Sequence, residues 1–138
     1  MSEDIRPGTV LGERRIHVDR ATLVRYSGAS GDFNPIHWDE RTAKAVDLPD
    51  VIAHGMWTMG AAIQLVVDWC GDAGRIESYA AKFTAPVPVP HDGGADIDIG
   101  AVVKSVERER LSVDLTATCD GAKVLTRAVA TVAIVHSA

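Results

Sequence analysis

The spacing of apolar residues changes near residue 76, and this change constrains the fold more than any other feature of the sequence. Beyond it, apolar side chains recur at every second position, most regularly in residues 111–120, LSVDLTATCD. Successive side chains of a strand point to opposite faces, so this alternation predicts a half-buried antiparallel strand. Similar spacing predicts further strands over residues 76–85, 95–106 and 123–135, separated by turns at 86–94, 107–110 and 120–121.

The first part of the chain is organised differently. Residues 14–19 (RRIHVD) alternate like a first strand, and residues 20–28 follow as a helix with Asp19 as its N-cap. Two glycines and a proline predict a loop over residues 28–37, and a short helix is expected at 39–46.

Residues 56–69 (MWTMGAAIQLVVDW) form the predicted central helix, which is apolar on nearly every side and is expected to stop at Gly71. A helix that is apolar all round has to be covered on most sides. The simplest assembly is an α+β fold in which a curved antiparallel sheet of about five strands wraps one long helix. No linker or repeat divides the sequence, so residues 1–138 are predicted to form one domain.

Composition and charge weigh against several classes of function. Hydrophobic residues make up 46% of the chain and charged residues 24%, as in soluble globular proteins. The net charge of −5 disfavours binding to nucleic acid or to an acidic membrane surface. Residues 51–70 are mostly apolar but include His54 and Gln64, so they predict a buried helix and not a membrane span. Lacking a signal-peptide pattern at the amino terminus, the protein is expected to be cytoplasmic, with Cys70 and Cys119 reduced, although a single disulfide is compatible with the sequence.

The sequence YSGASGDFNPIH carries the residue types of proton-transfer chemistry. Asp32 and His37 are five positions apart on the predicted loop, so both side chains can point into one cleft. A carboxylate and an imidazole within reach of one water can act as general acid and base. Phe33, Pro35 and Ile36 lie between them, so we expect the loop to be partly dry. The spacing is at least as compatible with a structural arrangement, an Asx turn at Asp32 and a hydrogen-bonded His37.

A second candidate element is the sequence AHGM directly before the central helix. The first N–H groups of a helix have no internal partner and lie at the positive end of its dipole. Gly55 has no side chain to keep a ligand away from this backbone, so its N–H can bind an anion or a developing oxyanion. Close packing at the helix entrance explains this glycine equally well. We interpret His54 as a polar helix-entry residue and not as a catalyst.

Together, the strings SGDFNPIHWD and IAHGMWTMG resemble the hydratase motif of the MaoC-like hot-dog family, the (R)-specific enoyl-thioester hydratases and dehydratases. Two later strings, KFTAPVPVPHDG and VKSVERERLSVDLTAT, are similar to one branch, the catalytic beta subunits of actinobacterial (3R)-hydroxyacyl-ACP dehydratases. The resemblance covers residues 20–135. It implies a hot-dog fold, a long helix wrapped by an antiparallel sheet, that works as a dimer.

By motif position, the resemblance implies that Asp32 and His37 are the catalytic pair and that the Gly55 N–H binds the thioester carbonyl. Asn34 is implied to brace the loop. The implied reaction is reversible removal of water from a (3R)-hydroxyacyl thioester, carried on ACP or CoA, in fatty acid elongation.

Family members often have a polar residue on the central helix that orients the aspartate, and Thr58 and Gln64 are the candidates here. Neither a metal nor another cofactor is expected, because His37 and His54 have no third ligand at a typical spacing.

Several alternatives stay open. The chain is compatible with a stand-alone (R)-enoyl-CoA hydratase of β-oxidation or polyester synthesis, or with a non-catalytic hot-dog subunit. Its partner is either a second copy or a different hot-dog chain. Docking of an acidic carrier protein would need a local basic patch, for which the candidates are Arg41, Lys44, Arg75 and Lys82.

Overall fold

The computed structural model describes residues 4–136 and consists of one antiparallel sheet with three α-helices. The five strands have the spatial order β1-β3-β4-β5-β2. Their bounds are β1 Val10–Val18, β2 Ile76–Phe83, β3 Ala95–Val106, β4 Arg110–Cys119 and β5 Ala122–Ala133. The helices are α1 Arg20–Ser30, α2 Glu40–Ala45 and α3 Gly55–Cys70, with short 3-10 turns at Pro35–His37 and Ala73–Arg75. None of the helices among the described residues is long and apolar enough to cross a membrane.

The predicted α+β architecture with five antiparallel strands is confirmed. β3 has the predicted bounds, and β1 begins four residues earlier than predicted, at Val10. Both cysteines are free; Cys119 is buried, as expected, and Cys70 is only half-buried. Residues 1–3 and 137–138 of the predicted domain lie outside the described residues.

Helix α1 is longer than predicted, because the loop expected from residue 28 begins only at Gly31. Asp19 caps the helix as predicted, and its carboxylate accepts a hydrogen bond from the Thr22 N–H at 2.8 Å. At the other end Gly31 adopts φ 76°, a left-handed conformation that suits glycine, and its N–H donates to the Ser27 carbonyl at 2.9 Å. The helix therefore delivers the chain directly into the four residues that precede the Pro35–His37 turn.

Helix α3 lies on the sheet, in contact with β1, β2, β3 and β4. Its buried side is formed by Thr58, Ala62, Leu65 and Val66, and it ends at Gly71 as predicted. The expectation that the helix is covered on most sides is met only in part. A line of residues four apart stays exposed, namely Met56, Gly60, Gln64 and Asp68.

Arg75 is buried, with 9% of its surface exposed, and it joins the end of α3 to the end of β5. Its guanidinium donates to the Ala133 carbonyl at 2.8 and 2.9 Å and to the Cys70 carbonyl at 3.2 Å. A buried guanidinium cannot present its charge to a partner, so the prediction of Arg75 as part of a carrier-docking patch is wrong. Its role is to satisfy backbone carbonyls where two elements end.

Replacing Arg75 with Met should lower the free energy of unfolding by about 2–3 kcal/mol, because buried carbonyls lose charged donors. Arg75→Lys should recover only part of this loss, since an ammonium cannot reproduce the planar fork of donors. Urea unfolding measures both variants, with Arg108→Met at an exposed position as control. Equal stability of the Arg75 and Arg108 variants would contradict the assigned role.

Candidate active site

The loop after α1 is held by a chain of short-range hydrogen bonds. The Asp32 N–H donates to the Ser30 hydroxyl, and Asp32 Oδ1 accepts from the Asn34 N–H, both at 3.1 Å. Asn34 Oδ1 accepts from the Ile36 N–H at 3.2 Å and so caps the Pro35–His37 turn. The Asx turn considered as a structural role for Asp32 is therefore present. It uses only Oδ1 and leaves Oδ2 available.

His37 is buried and held by one strong hydrogen bond. Its Nδ1 lies 2.6 Å from the Ile52 carbonyl oxygen. A carbonyl can only accept, so Nδ1 carries the proton and the neutral ring has its lone pair on Nε2. That Nε2 lies 3.8 Å from Asp32 Oδ2, too far for a direct hydrogen bond. One water oxygen can lie within hydrogen-bond reach of both atoms.

The expectation of a partly dry loop is met at His37, which is buried, and not at Asp32. The Asp32 side chain is 51% exposed, and Phe33 is 61% exposed. The apolar residues between Asp32 and His37 do not fold back over the carboxylate. His37 is shielded instead by the segment that contains Ile52 and by His54.

His54 is the site residue that sequence analysis missed. It precedes α3, as expected of a helix-entry residue, but its side chain makes no hydrogen bond to the helix start. Its ring is 1% exposed and stacks on His37, with ring centroids 3.7 Å apart and planes 19° from parallel. Burial is the main cause that lowers the pKa of His54 below its ordinary value of 6.5. The signal in the sequence was its position next to Gly55, within the same motif.

Asp32, His37 and His54 each offer a donor atom, and these atoms lie within 4.8 Å of one another. His37 and His54 have no third ligand at a typical sequence spacing, but the folded chain brings Asp32 close to both. Imidazole lone pairs lie in the ring plane, however, and two nearly parallel stacked rings do not aim at a common point. This arrangement does not fit a shared ion, and the expectation that no metal is needed stays a prediction.

A cavity of about 420 Å³ is lined in part by His37. Gly55 and Thr58 line it together with His37, and Asp32 and Asn34 are not among its lining residues. The rest of the wall is largely apolar and includes Ile36, Ile52, Phe83, Val87, Val124 and Leu125. The volume falls in the range of small-molecule sites.

Of the two polar residues considered on the central helix, Thr58 faces this cavity and Gln64 does not. Thr58 is buried, whereas Gln64 is exposed and donates to Asp68 at 2.8 Å. Within residues 4–136 neither side chain forms a hydrogen bond to Asp32, so neither orients it directly.

Gly55 is the first residue of α3 and lies at the cavity wall. Intrahelical bonding begins two residues later, where the Trp57 N–H donates to the His54 carbonyl at 3.1 Å. The Gly55 N–H therefore belongs to the donors that a helix leaves without an internal partner. A Cβ at this position would lie 3.1 Å from two ring atoms of Phe83, so glycine also allows close packing. The close approach of Phe83 supports the packing explanation, and binding of an anion at the Gly55 N–H stays a prediction.

The chain is similar over most of its length to known proteins. A family model described as "MaoC like domain" matches residues 4–119. The chain is 33% identical over 115 residues to 3-hydroxyacyl-thioester dehydratase X of Mycobacterium tuberculosis, covering 77% of this chain and 38% of that protein. It is 28% identical over 119 residues to the 3-oxo-4,17-pregnadiene-20-carboxyl-CoA hydratase beta subunit of the same organism, covering 82% of this chain and 92% of that one.

Among solved structures, a MaoC-like dehydratase superposes with a TM-score of 0.90 and 41% identity. The match covers 94% of this chain and 40% of that one. The chain thus spans about two fifths of the length of both dehydratases to which it is compared.

The lowered pKa of His54 predicts how stability depends on pH. Between this lowered pKa and the ordinary value of 6.5, the unfolded chain binds more protons at this residue than the folded chain. The stabilising contribution of neutral His54 is therefore complete above pH 6.5 and is lost as the pH falls toward the folded-state value.

Urea unfolding from about pH 7.5 down to about 5 should show a steeper loss of stability for the wild type than for His54→Gln. His91→Gln, at an exposed position, is the control and should keep the wild-type slope. Parallel slopes for the wild type and His54→Gln would contradict the burial of a neutral His54.

Proposed function

The chain belongs to the MaoC-like family and has the hot-dog fold, and from this premise we propose that it is a hydro-lyase acting on acyl thioesters. The reaction is the reversible interconversion of a (3R)-hydroxyacyl thioester and the 2-enoyl thioester plus water. One observation carries the proposal. Asp32 Oδ2 lies 3.8 Å from His37 Nε2, and His37 lines a largely apolar cavity together with Gly55.

The elimination needs one base and one acid. The C2–H bond breaks, its electrons form the C2=C3 double bond, and the C3–O bond breaks as the departing hydroxyl takes up a proton and leaves as water. Asp32 and His37 are the catalytic pair of this proposal, one accepting the C2 proton and the other protonating the hydroxyl. In the hydration direction, the water that both atoms can reach is the nucleophile, and the proton transfers run in reverse.

Removal of the C2 proton places negative charge on the thioester oxygen. The Gly55 N–H lies at the positive end of the 16-residue helix α3, so it can donate to that oxygen. Such a donor is worth on the order of 3 kcal/mol in the transition state. Asn34 supports the pair by capping the turn that carries His37.

The apolar cavity walls suit the acyl chain, and the proposed role is in fatty acid elongation with an ACP-borne thioester. A CoA thioester in β-oxidation or polyester synthesis is the alternative substrate. Arg41, Lys44 and Lys82 are exposed or partly exposed, as a carrier-docking patch would need. The predicted cytoplasmic location and the assignment of residues 1–138 to one domain belong to this same proposal.

A second hot-dog subunit, identical or different, is the proposed partner. Two features of the single chain support it: the exposed line of residues along α3 and the outer position of β2 at one edge of the sheet. An unpaired strand edge favours pairing with another chain. The name of one relative, a hydratase beta subunit, also favours a heteromer. A non-catalytic subunit is the competing hypothesis, and it gives no reason for Asp32, His37 and Gly55 to lie together.

Asp32→Asn and His37→Gln should each lower turnover of a short trans-2-enoyl thioester by about 10²- to 10⁴-fold, because each removes one proton-transfer group. Loss of the conjugated thioester absorbance measures the rate, with the same acyl group presented on CoA and on ACP. The control variants are Asp92→Asn and His91→Gln, both exposed in a turn away from the cavity. Wild-type turnover in either site variant would overturn the assignment of that residue.

Gly55→Ala should lower kcat/KM roughly tenfold or more, because a methyl group at the cavity wall obstructs access to the amide. The matched control is Gly60→Ala on the same helix, where a Cβ meets no atom within 4 Å. Combining Gly55→Ala with Phe83→Ala relieves the contact with the aromatic ring. Full recovery of activity in the double variant would show that crowding of Phe83, and not access to the amide, caused the loss.

A further inference from the structure

We propose that His54 is a positioning residue that fixes Asp32 and His37 relative to each other. This inference rests on the proposed function, because it assigns a role within the same site. Asp32 and His37 lie on one loop, and His54 approaches that loop from the start of α3. It contacts both members of the pair, one through a hydrogen bond and the other through its ring face.

The contact with Asp32 is made to its backbone. His54 Nε2 lies 3.2 Å from the Asp32 carbonyl oxygen and 3.3 Å from the Ser27 hydroxyl. A carbonyl only accepts, so Nε2 carries the proton and donates it. The Asp32 side chain is half exposed, and its Oδ1 is bonded only within the loop. The His54 bond therefore ties the loop at Asp32 to the buried part of the protein.

The contact with His37 is made across the ring faces, at 3.7 Å between centroids. The hydrogen bond to the Ile52 carbonyl holds only one edge of the His37 ring. The His37 ring could still rotate about this hydrogen bond and turn its Nε2 away from Asp32 Oδ2. Stacking on His54 blocks this rotation. The Tyr26 ring contacts the His54 ring edge-on, with centroids 4.7 Å apart, and limits the movement of the His54 ring.

The protonation state of His54 suits this role. Its other nitrogen, Nδ1, is buried and has no hydrogen-bond partner among the described residues. With Nε2 as the donor, Nδ1 of the neutral ring carries a lone pair and no proton. The titratable groups that face His54 are His37, Asp32 and Tyr26. Burial is the main cause that lowers its pKa, with the neighbouring His37 adding to it and Asp32 opposing it, and this direction favours the neutral ring.

Two substitutions separate the two contacts. His54→Phe keeps a planar ring for stacking and removes the donor to Asp32. His54→Gln keeps an N–H donor and removes the ring. Misplacement of a reacting group by about 1 Å can cost about 100-fold in rate. Each variant is therefore expected to lower kcat about 10- to 100-fold with KM changed less than about threefold, the pattern of an interaction made in the transition state.

The kinetic constants of the folded His54→Phe and His54→Gln variants test the positioning role. A wild-type kcat in both variants, or a raised KM with unchanged kcat, would overturn the positioning role. His91→Gln serves as the exposed control. Circular dichroism and urea unfolding establish that each variant is folded before its kinetics are interpreted.

Nitrogen-15 spectra of histidine-labelled wild-type protein provide a readout that needs no substrate and no variant. The neutral His54 ring should show a protonated Nε2 and an unprotonated Nδ1, and should take up a second proton only at a lower pH than an ordinary histidine. A neutral ring that carries its proton on Nδ1 and not on Nε2 would overturn the bond to Asp32. If this tautomer is observed and the wild type turns over no acyl thioester, the proposed function fails and the structural assignment of His54 stands.

Discussion

The hydrogen bond from His37 Nδ1 to the Ile52 carbonyl is the constraint on which the site depends. At 2.6 Å it fixes the tautomer of the buried imidazole and so decides which nitrogen faces Asp32. Ile52 is itself bound to the same turn, because its N–H donates to the Ile36 carbonyl at 3.1 Å. The two bonds lock the turn and the extended segment together. His37 thus sits on backbone that cannot shift independently of Ile52.

That extended segment, residues 51–53, also explains the position of α3. The Val89 N–H donates to the Val51 carbonyl at 2.8 Å, and the Ala53 N–H donates to the Val87 carbonyl at 2.9 Å. Proline has no N–H, and the proline-rich segment 87–90 pairs here through the two valines that alternate with its prolines. The next residues along the chain are His54 and Gly55. One anchored segment therefore places the His37 acceptor, the stacked ring and the first helix amide.

Hydrophobic spacing was sufficient to predict the sheet, because apolar side chains recur at every second position of a half-buried strand. β3 begins and ends where this spacing does. Helix α1 shows where local signals fail. Gly28 indicated a loop, yet the helix continues to Ser30, and buried Ser27 makes its contact with His54 from inside the helix. Ring stacking between residues 17 positions apart leaves no pattern in a single sequence, so the contact of His54 with His37 could be found only in the folded chain.

The same limit applies to the exclusion of water. Local sequence determines the Asx turn, the 3-10 turn and the helix start, and these place His37, Asn34 and Gly55. Burial of Asp32 is not a local property: its side chain stays 51% exposed although three apolar residues lie between it and His37. An acid–base pair works best where water is limited, because electrostatic interactions strengthen as the dielectric falls. The chain alone therefore arranges the proposed proton-transfer groups, and in this proposal the substrate or the second subunit has to shield the carboxylate. The geometry of the pair comes from the local sequence, whereas the exclusion of water from Asp32 depends on groups outside the motif. The motif therefore predicts the geometry and not the exclusion of water.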